Sequence, residues 1–171
     1  MADKSMEGLN TFTAAEEVKV DTNKKMRIGI IGCGWIAGSH LSAYMHQPDV
    51  EIVAGCDLIP GKARKFFDDY AAKKELDFSH VKTEYASHVE MLADKSLKLD
   101  AVSVCTYNRQ HAQPTIDALN AGVNVLLEKP FTVTLDEAVE VIRAEKKSGK
   151  VLSLGFQPRT LQGYNRQWNR Y

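Results

Sequence analysis

The chain has no excess of either charge: 22 basic residues stand against 22 acidic ones. That removes the usual electrostatic reason to expect nucleic acid or an anionic membrane as partner. No apolar run approaches the roughly 20 residues that a membrane span needs. The opening residues MADKSMEGLN lack the basic-then-apolar order of a secretion signal. Cysteine is scarce, with only Cys33, Cys56 and Cys105. They cannot all pair and none forms a C-x-x-C, so a reduced, cytoplasmic setting is expected. His80 and His88 belong to no H-x-x-x-H pair and no Cys/His cluster, so no metal site is expected. What is present is ordinary: 44% hydrophobic and 26% charged residues in a chain of 171. A chain of that length buries enough surface to fold without a disulfide or metal staple.

Residues 1–24 are polar, mixed in charge and without a sustained apolar face, and are expected to form a disordered leader. Residues 25–159 carry the organisation. Short β-rich runs fall at Met26–Ile31, Val50–Cys56, Ala101–Cys105, Val123–Leu127 and Val151–Leu154, with a weaker one near Val81–Thr83. They lack inside/outside alternation, as strands covered on both faces do. Between them, Ala63, Phe66, Phe67, Tyr70 and Ala71 predict a helix with one buried stripe, and Leu135, Ala138, Val139 and Ile142 predict another. Thr134 with Glu137, and Ser87 with Glu90, have capping-box spacing, while Gly122 and Gly149 mark helix ends. Strands alternating with helices predict an α/β fold: a doubly wound, mostly parallel sheet of Rossmann type with helices on both faces. Its ligand crevice lies at the carboxyl ends of the strands. Residues 160–171, TLQGYNRQWNRY, read as a tail or the truncated start of another domain.

The segment Ile30-Ile31-Gly32-Cys33-Gly34-Trp35-Ile36-Ala37 contains G-x-G-x-x-A between a strand and a helix. Gly32 permits a tight turn, Gly34 lets the main chain approach a pyrophosphate, and small Ala37 lets helix and strand pack closely. The helix N-terminus then offers free N–H groups to the anion. Trp35 and Ile36, inside the turn, are placed with the cofactor-binding residues, and Trp35 is also expected to face a second domain or a neighbouring subunit. Twenty residues beyond Ala37, Asp57 ends the second strand, where a carboxylate accepts hydrogen bonds from an adenosine ribose. The same anion repels a 2′-phosphate, which favours NAD over NADP, although Lys62 and Arg64 lie close enough to soften that preference.

A second cluster follows the later strands: Thr106-Tyr107-Asn108-Arg109-Gln110-His111, then Leu126-Leu127-Glu128-Lys129-Pro130. Both fall at the crevice end of the sheet, where Pro130 restricts the chain beside Lys129. The succession G-x-G-x-x-A, Asp, T-x-N-x-x-H-A and A-G-x-x-V-L-L-E-K-P resembles the N-terminal NAD(P)-binding domain of the glucose–fructose oxidoreductase, inositol dehydrogenase and MocA (Gfo/Idh/MocA) family, from Met26 to about Arg159. The resemblance implies an oxidoreductase: a dehydrogenase transferring hydride between NAD(P) and a carbinol carbon of a sugar, cyclitol or polyol. It places Gly32, Gly34 and Ala37 on the pyrophosphate and Asp57 on the adenosine ribose. Thr106 and Asn108 fall along the nicotinamide half and Glu128 near its ribose. Lys129 matches the active-site lysine that contacts the reacting oxygen, and Gln157 and Arg159 match a stretch lining the site. His111 is counted with the cofactor side, its own ring expected to cap or pack a helix start. The resemblance also implies a second α/β domain that supplies the substrate wall, an Asp, a His and often an oligomer interface. The sequence stops at Tyr171, so the expectation is a chain that lacks this domain, binds cofactor and turns over little or nothing alone. The alternatives are a non-enzymatic nucleotide-binding module or sensor, and an empty scaffold.

Overall fold

Strand β1 (Met26–Ile31) is buried over its last four residues. It lies inside a parallel sheet with a neighbour on each side. The computed structural model of the chain describes residues 24–156. In chain order the elements after β1 are α1 (Trp35–Tyr44), β2 (Val50–Cys56), α2 (Lys62–Lys74), α3 (His88–Ala93), β3 (Ala101–Val104), α4 (Ala112–Asn120), β4 (Asn124–Glu128), α5 (Leu135–Ser148) and β5 (Leu152–Gly155). Short 3₁₀ turns at Lys95–Leu97 and Asn108–Gln110 precede β3 and α4. The strands line up as β2-β1-β3-β4-β5, all parallel. After β2 the chain crosses to the other side of β1, which creates the switch point where such folds open a crevice.

Each face of the sheet has its own core. On one side Ile28, Ile30 and Ile52 pack with Ala37 and Leu41 of α1 and with Ala63 and Phe67 of α2. On the other, Val102, Val104, Val125 and Leu127 pack with Met91 of α3 and with Ala118 and Leu119 of α4. Coverage on both faces explains why the strand runs lack alternation. The helix ends follow the capping signals. Thr134 accepts from the Glu137 N–H at 3.2 Å while Glu137 accepts from the Thr134 N–H at 3.0 Å, and Gly149 closes α5 in the left-handed region at φ 64°. Among the described residues no helix is long and apolar enough to cross a membrane.

Two local expectations are corrected. The weak run near Val81–Thr83 forms only a single parallel bridge, Ala54 to Lys82, and not a strand. Phe78 and Val81 are drawn into the core beside Phe67, and Ser87 starts α3 a few residues later. In α5 the buried side chains are Val141 and Ala144, while Leu135 is 85% exposed and Val139 and Ile142 are also exposed. The helix carries two adjacent apolar rows, and of the predicted stripe Leu135, Ala138, Val139 and Ile142 only Ala138 is half-buried, on the Val141 side of the helix.

Candidate functional site

The chain leaves β1 through Gly32, whose φ of +88° is left-handed. A Cβ there would come within 2.8 Å of the Thr106 backbone nitrogen. Conformation and crowding therefore both require glycine. Its N–H donates to the Cys56 carbonyl at 2.8 Å, and the next N–H, of Cys33, donates to Asp57 Oδ2 at 3.0 Å. The turn is thus stitched to the end of β2. Gly34 is the N-cap of α1, with no side-chain cap and no acidic residue in the first turn. A Cβ on Gly34 would meet nothing within 4 Å. The first N–H groups of α1 therefore face open space with no side chain of their own in the way, which is the physical requirement for an anion at a helix N-terminus. Ala37, fully buried, seats the helix against the sheet, Ile36 is half-buried and Trp35 projects outward at 89% exposure.

Asp57 is the second fixed point, its side chain 9% exposed. Oδ2 also receives Lys62 Nζ at 2.9 Å and Oδ1 receives the Ile59 N–H at 3.0 Å. Burial by itself would raise the carboxyl, but the Lys62 ammonium and the Ile59 and Cys33 N–H groups outweigh it and hold it below its ordinary value. Arg64 is committed elsewhere, to Asp68 and to the Phe78 and Val81 carbonyls. The turn and Asp57 share a cleft of about 990 Å³, whose walls include Gly32, Gly34, Trp35, Asp57, Thr106 and Tyr107. Asp136 and Glu140 of α5 complete its far side. The residues present fit a dinucleotide: a bare helix end for the diphosphate and a carboxylate for a ribose.

The second cluster is arranged differently. The Thr106 hydroxyl donates to the Gln110 carbonyl at 3.0 Å, and Asn108 Oδ1 accepts from the Arg109 N–H at 3.0 Å. His111 is buried, with Nδ1 at 2.7 Å from the Pro130 carbonyl and Nε2 at 3.2 Å from the Thr106 carbonyl. Its ring ties the loop after β3 to the residue after Lys129. Glu128, the last residue of β4, is also buried; Oε1 meets His40 Nε2 at 2.8 Å and Oε2 accepts from the Lys129 N–H at 3.0 Å. Lys129 itself is exposed. It stands at the same sheet end as Gly32 with β3 between them, about 10 Å away by strand spacing. Asn108, His111, Glu128 and Lys129 are not part of the cleft walls. Gln157 and Arg159 lie outside the described residues. His40 was not singled out from the sequence; the signal available was its position three residues after Ala37, on the helix face that packs against the sheet. The three cysteines are buried at the ends of β1, β2 and β3, and burial pushes the Cys56 and Cys105 thiols up to about 12.

The family model for oxidoreductases with an NAD-binding Rossmann fold matches residues 26–156. Inositol 2-dehydrogenase of Salmonella typhimurium is 33% identical over 141 residues, covering 81% of this chain and 39% of that protein. D-glucoside 3-dehydrogenase of Escherichia coli is 35% identical over 139 residues, covering 81% of this chain and 36% of that protein. The crystal structure of myo-inositol dehydrogenase from Lactobacillus casei in complex with NAD(H) and myo-inositol superposes with a TM-score of 0.74 at 25% identity, over 85% of this chain and 41% of that one. The chain therefore spans about two-fifths of the length of the relatives it matches.

Proposed function

The chain belongs to the Gfo/Idh/MocA oxidoreductase family and carries its NAD-binding Rossmann domain, and from that premise we propose that it is the cofactor-binding part of a dehydrogenase acting on a sugar, cyclitol or related polyol. The observation that carries the reading is the bare N-terminus of α1 opening into the same cleft as Asp57. The inositol and glucoside dehydrogenases among its relatives support ring-shaped polyols as the substrate class. The N–H groups following Gly34 hold the cofactor diphosphate. Asp57 holds the adenosine ribose through Oδ1, which among the described residues accepts only from the Ile59 N–H. Thr106 lies along the nicotinamide half. The bound nicotinamide supplies hydride-transfer chemistry. Lys129 donates to the reacting oxygen of the substrate, held at its strand end by the Glu128 carboxylate and by the His111–Pro130 contact. Trp35 offers its ring at the cleft mouth to a second domain or a neighbouring subunit.

Taken alone, these 171 residues bind NAD(H) and turn over little. Hydride transfer needs substrate and cofactor held together in near-attack geometry. The histidines near the site are committed: His40 to Glu128, His88 to Asp117 and His111 to two carbonyls. Titration of the chain with NADH, followed by energy transfer from tryptophan, tests the reading. A saturable signal at submillimolar cofactor is expected. A folded chain that gives none at millimolar NADH overturns it.

A further inference from the structure

Beneath the strand end that carries Lys129 runs a chain of polar side chains that cofactor binding leaves unexplained. Glu128 Oε1 meets His40 Nε2 at 2.8 Å, His40 Nδ1 meets Ser103 Oγ at 3.2 Å, and Ser103 Oγ is also bonded to the Tyr44 hydroxyl. The His40 and Glu128 side chains are 9% and 5% exposed, and Ser103 is fully buried. A carboxylate only accepts, so His40 Nε2–H donates to it. His40 Nδ1 shares a hydrogen bond with Ser103 Oγ, and Ser103 Oγ shares one with the Tyr44 hydroxyl. The bonds form one continuous chain from Tyr44 to Glu128, and among the described residues no buried side-chain N or O is left without a partner. The remaining oxygen, Oε2, takes the backbone N–H of Lys129 at 3.0 Å.

Apolar side chains of similar size generally stabilise a core as well as a buried polar set of this kind. Its location is more telling than its energy. His40 and Tyr44 belong to α1, the helix whose N-terminus faces the cleft, and Glu128 ends β4, next to the lysine. We propose that His40 is a positioning residue for Lys129: through Glu128 it locks the lysine's backbone to the cofactor-binding helix, so that ammonium group and cofactor keep one fixed relation. Glu128 serves this link from below the strand end, and its carboxylate does not hold the nicotinamide ribose. The inference rests on the reading of Lys129 as the group that meets the reacting oxygen.

The test uses ¹⁵N-labelled 171-residue chain with and without saturating NAD⁺, in the wild type, His40→Met, His40→Gln and Glu128→Gln. The amide of Lys129, donating to a carboxylate, is expected far downfield and to shift when NAD⁺ binds. In His40→Met it moves upfield, exchanges its hydrogen about tenfold faster and loses its response to NAD⁺. His40→Gln, which keeps a donor near Oε1, restores the wild-type signature. Glu128→Gln displaces the same amide and leaves NADH affinity within about twofold, which gives a second reading should His40→Met not fold. A Lys129 amide unmoved in folded His40→Met, or unmoved by NAD⁺ in the wild type, overturns the proposal, as does a large loss of NADH affinity in Glu128→Gln. Failure of the wild type to bind NADH at all overturns instead the cofactor reading on which the proposal rests.

Discussion

Asp57 and Lys62 form an ion pair of 2.9 Å at the edge of the cleft, with the aspartate side chain 9% exposed and the lysine 38%. The carboxylate that we propose disfavours a 2′-phosphate is therefore partly neutralised by a neighbour on the first turn of α2. Removing the lysine exposes the full anion. Lys62→Ala is expected to widen the preference for NADH over NADPH by roughly tenfold, mainly through weaker NADPH binding. Parallel fluorescence titrations with both cofactors check it, and an unchanged ratio would show that Lys62 does not reach that position.

The two glycines of the turn separate stability from binding. Gly32→Ala places a Cβ at a left-handed φ of +88° and 2.8 Å from a backbone nitrogen, and should destabilise the fold by about 2–4 kcal/mol. Gly34→Ala adds a Cβ that meets nothing within 4 Å, so its unfolding midpoint in urea should stay much closer to that of the wild type, apart from the modest cost of alanine at an N-cap. Its NADH affinity should fall at least about a hundredfold, because the added side chain stands where the diphosphate approaches. Equal losses of stability in the two variants would contradict this assignment.

The buried thiols make stability fall in alkali. Cys56 and Cys105 are raised from 9.0 to about 12 in the fold, first by burial and then by the nearby carboxylates of Asp57 and Glu128. A raised value means that the native state favours the protonated thiol. The contribution is complete below 9.0 and is lost as pH climbs toward 12, since the unfolded chain ionises first. Urea unfolding at a series of alkaline pH values should therefore show declining stability, with a shallower decline in Cys105→Ala. An identical slope in that variant would remove the thiol from the explanation.

Asp57 gives the opposite slope in acid. Its carboxyl is held below 3.8, so its contribution is complete above the ordinary aspartate range and is lost as pH falls through the lowered value. Asp57→Asn should be less stable than the wild type near neutrality, by about 1–2 kcal/mol, because the tether to the Cys33 N–H weakens. That gap should close as the wild-type aspartate protonates. A gap independent of pH would mean that the charge is not what holds the turn.

Much of the arrangement is encoded locally. Gly32, Gly34 and Ala37 sit within six residues of one another, and Asp57 follows at the next strand end. Thr134 and Glu137 cap α5 across a single turn. Features of this range depend on φ, on the absence of a Cβ or on one turn of helix, and a linear pattern carries them directly. The strand runs are similar: uninterrupted apolar stretches indicate coverage on both faces without saying which helix supplies it. Contacts between distant segments have no such linear trace. The pairing of His40 with Glu128 joins residues 88 apart, and it exists because β4 lies beside β3, whose Ser103 is bonded to His40 and Tyr44 of α1. Nothing near Glu128 in the chain distinguishes a carboxylate turned inward to a histidine from one turned outward to a ribose.

The amino-acid order alone thus settled the class of fold, the position of the glycine turn and the acidic residue that ends the next strand, because backbone geometry and short-range periodicity write those features into neighbouring residues. Folding settled the rest: which apolar row of α5 is covered, that Val81–Thr83 touches the sheet at one residue pair, and that Glu128 faces the core while Lys129 faces solvent. Those outcomes depend on competition among partners for the same surface, and that competition is resolved only when the sheet assembles in its particular order.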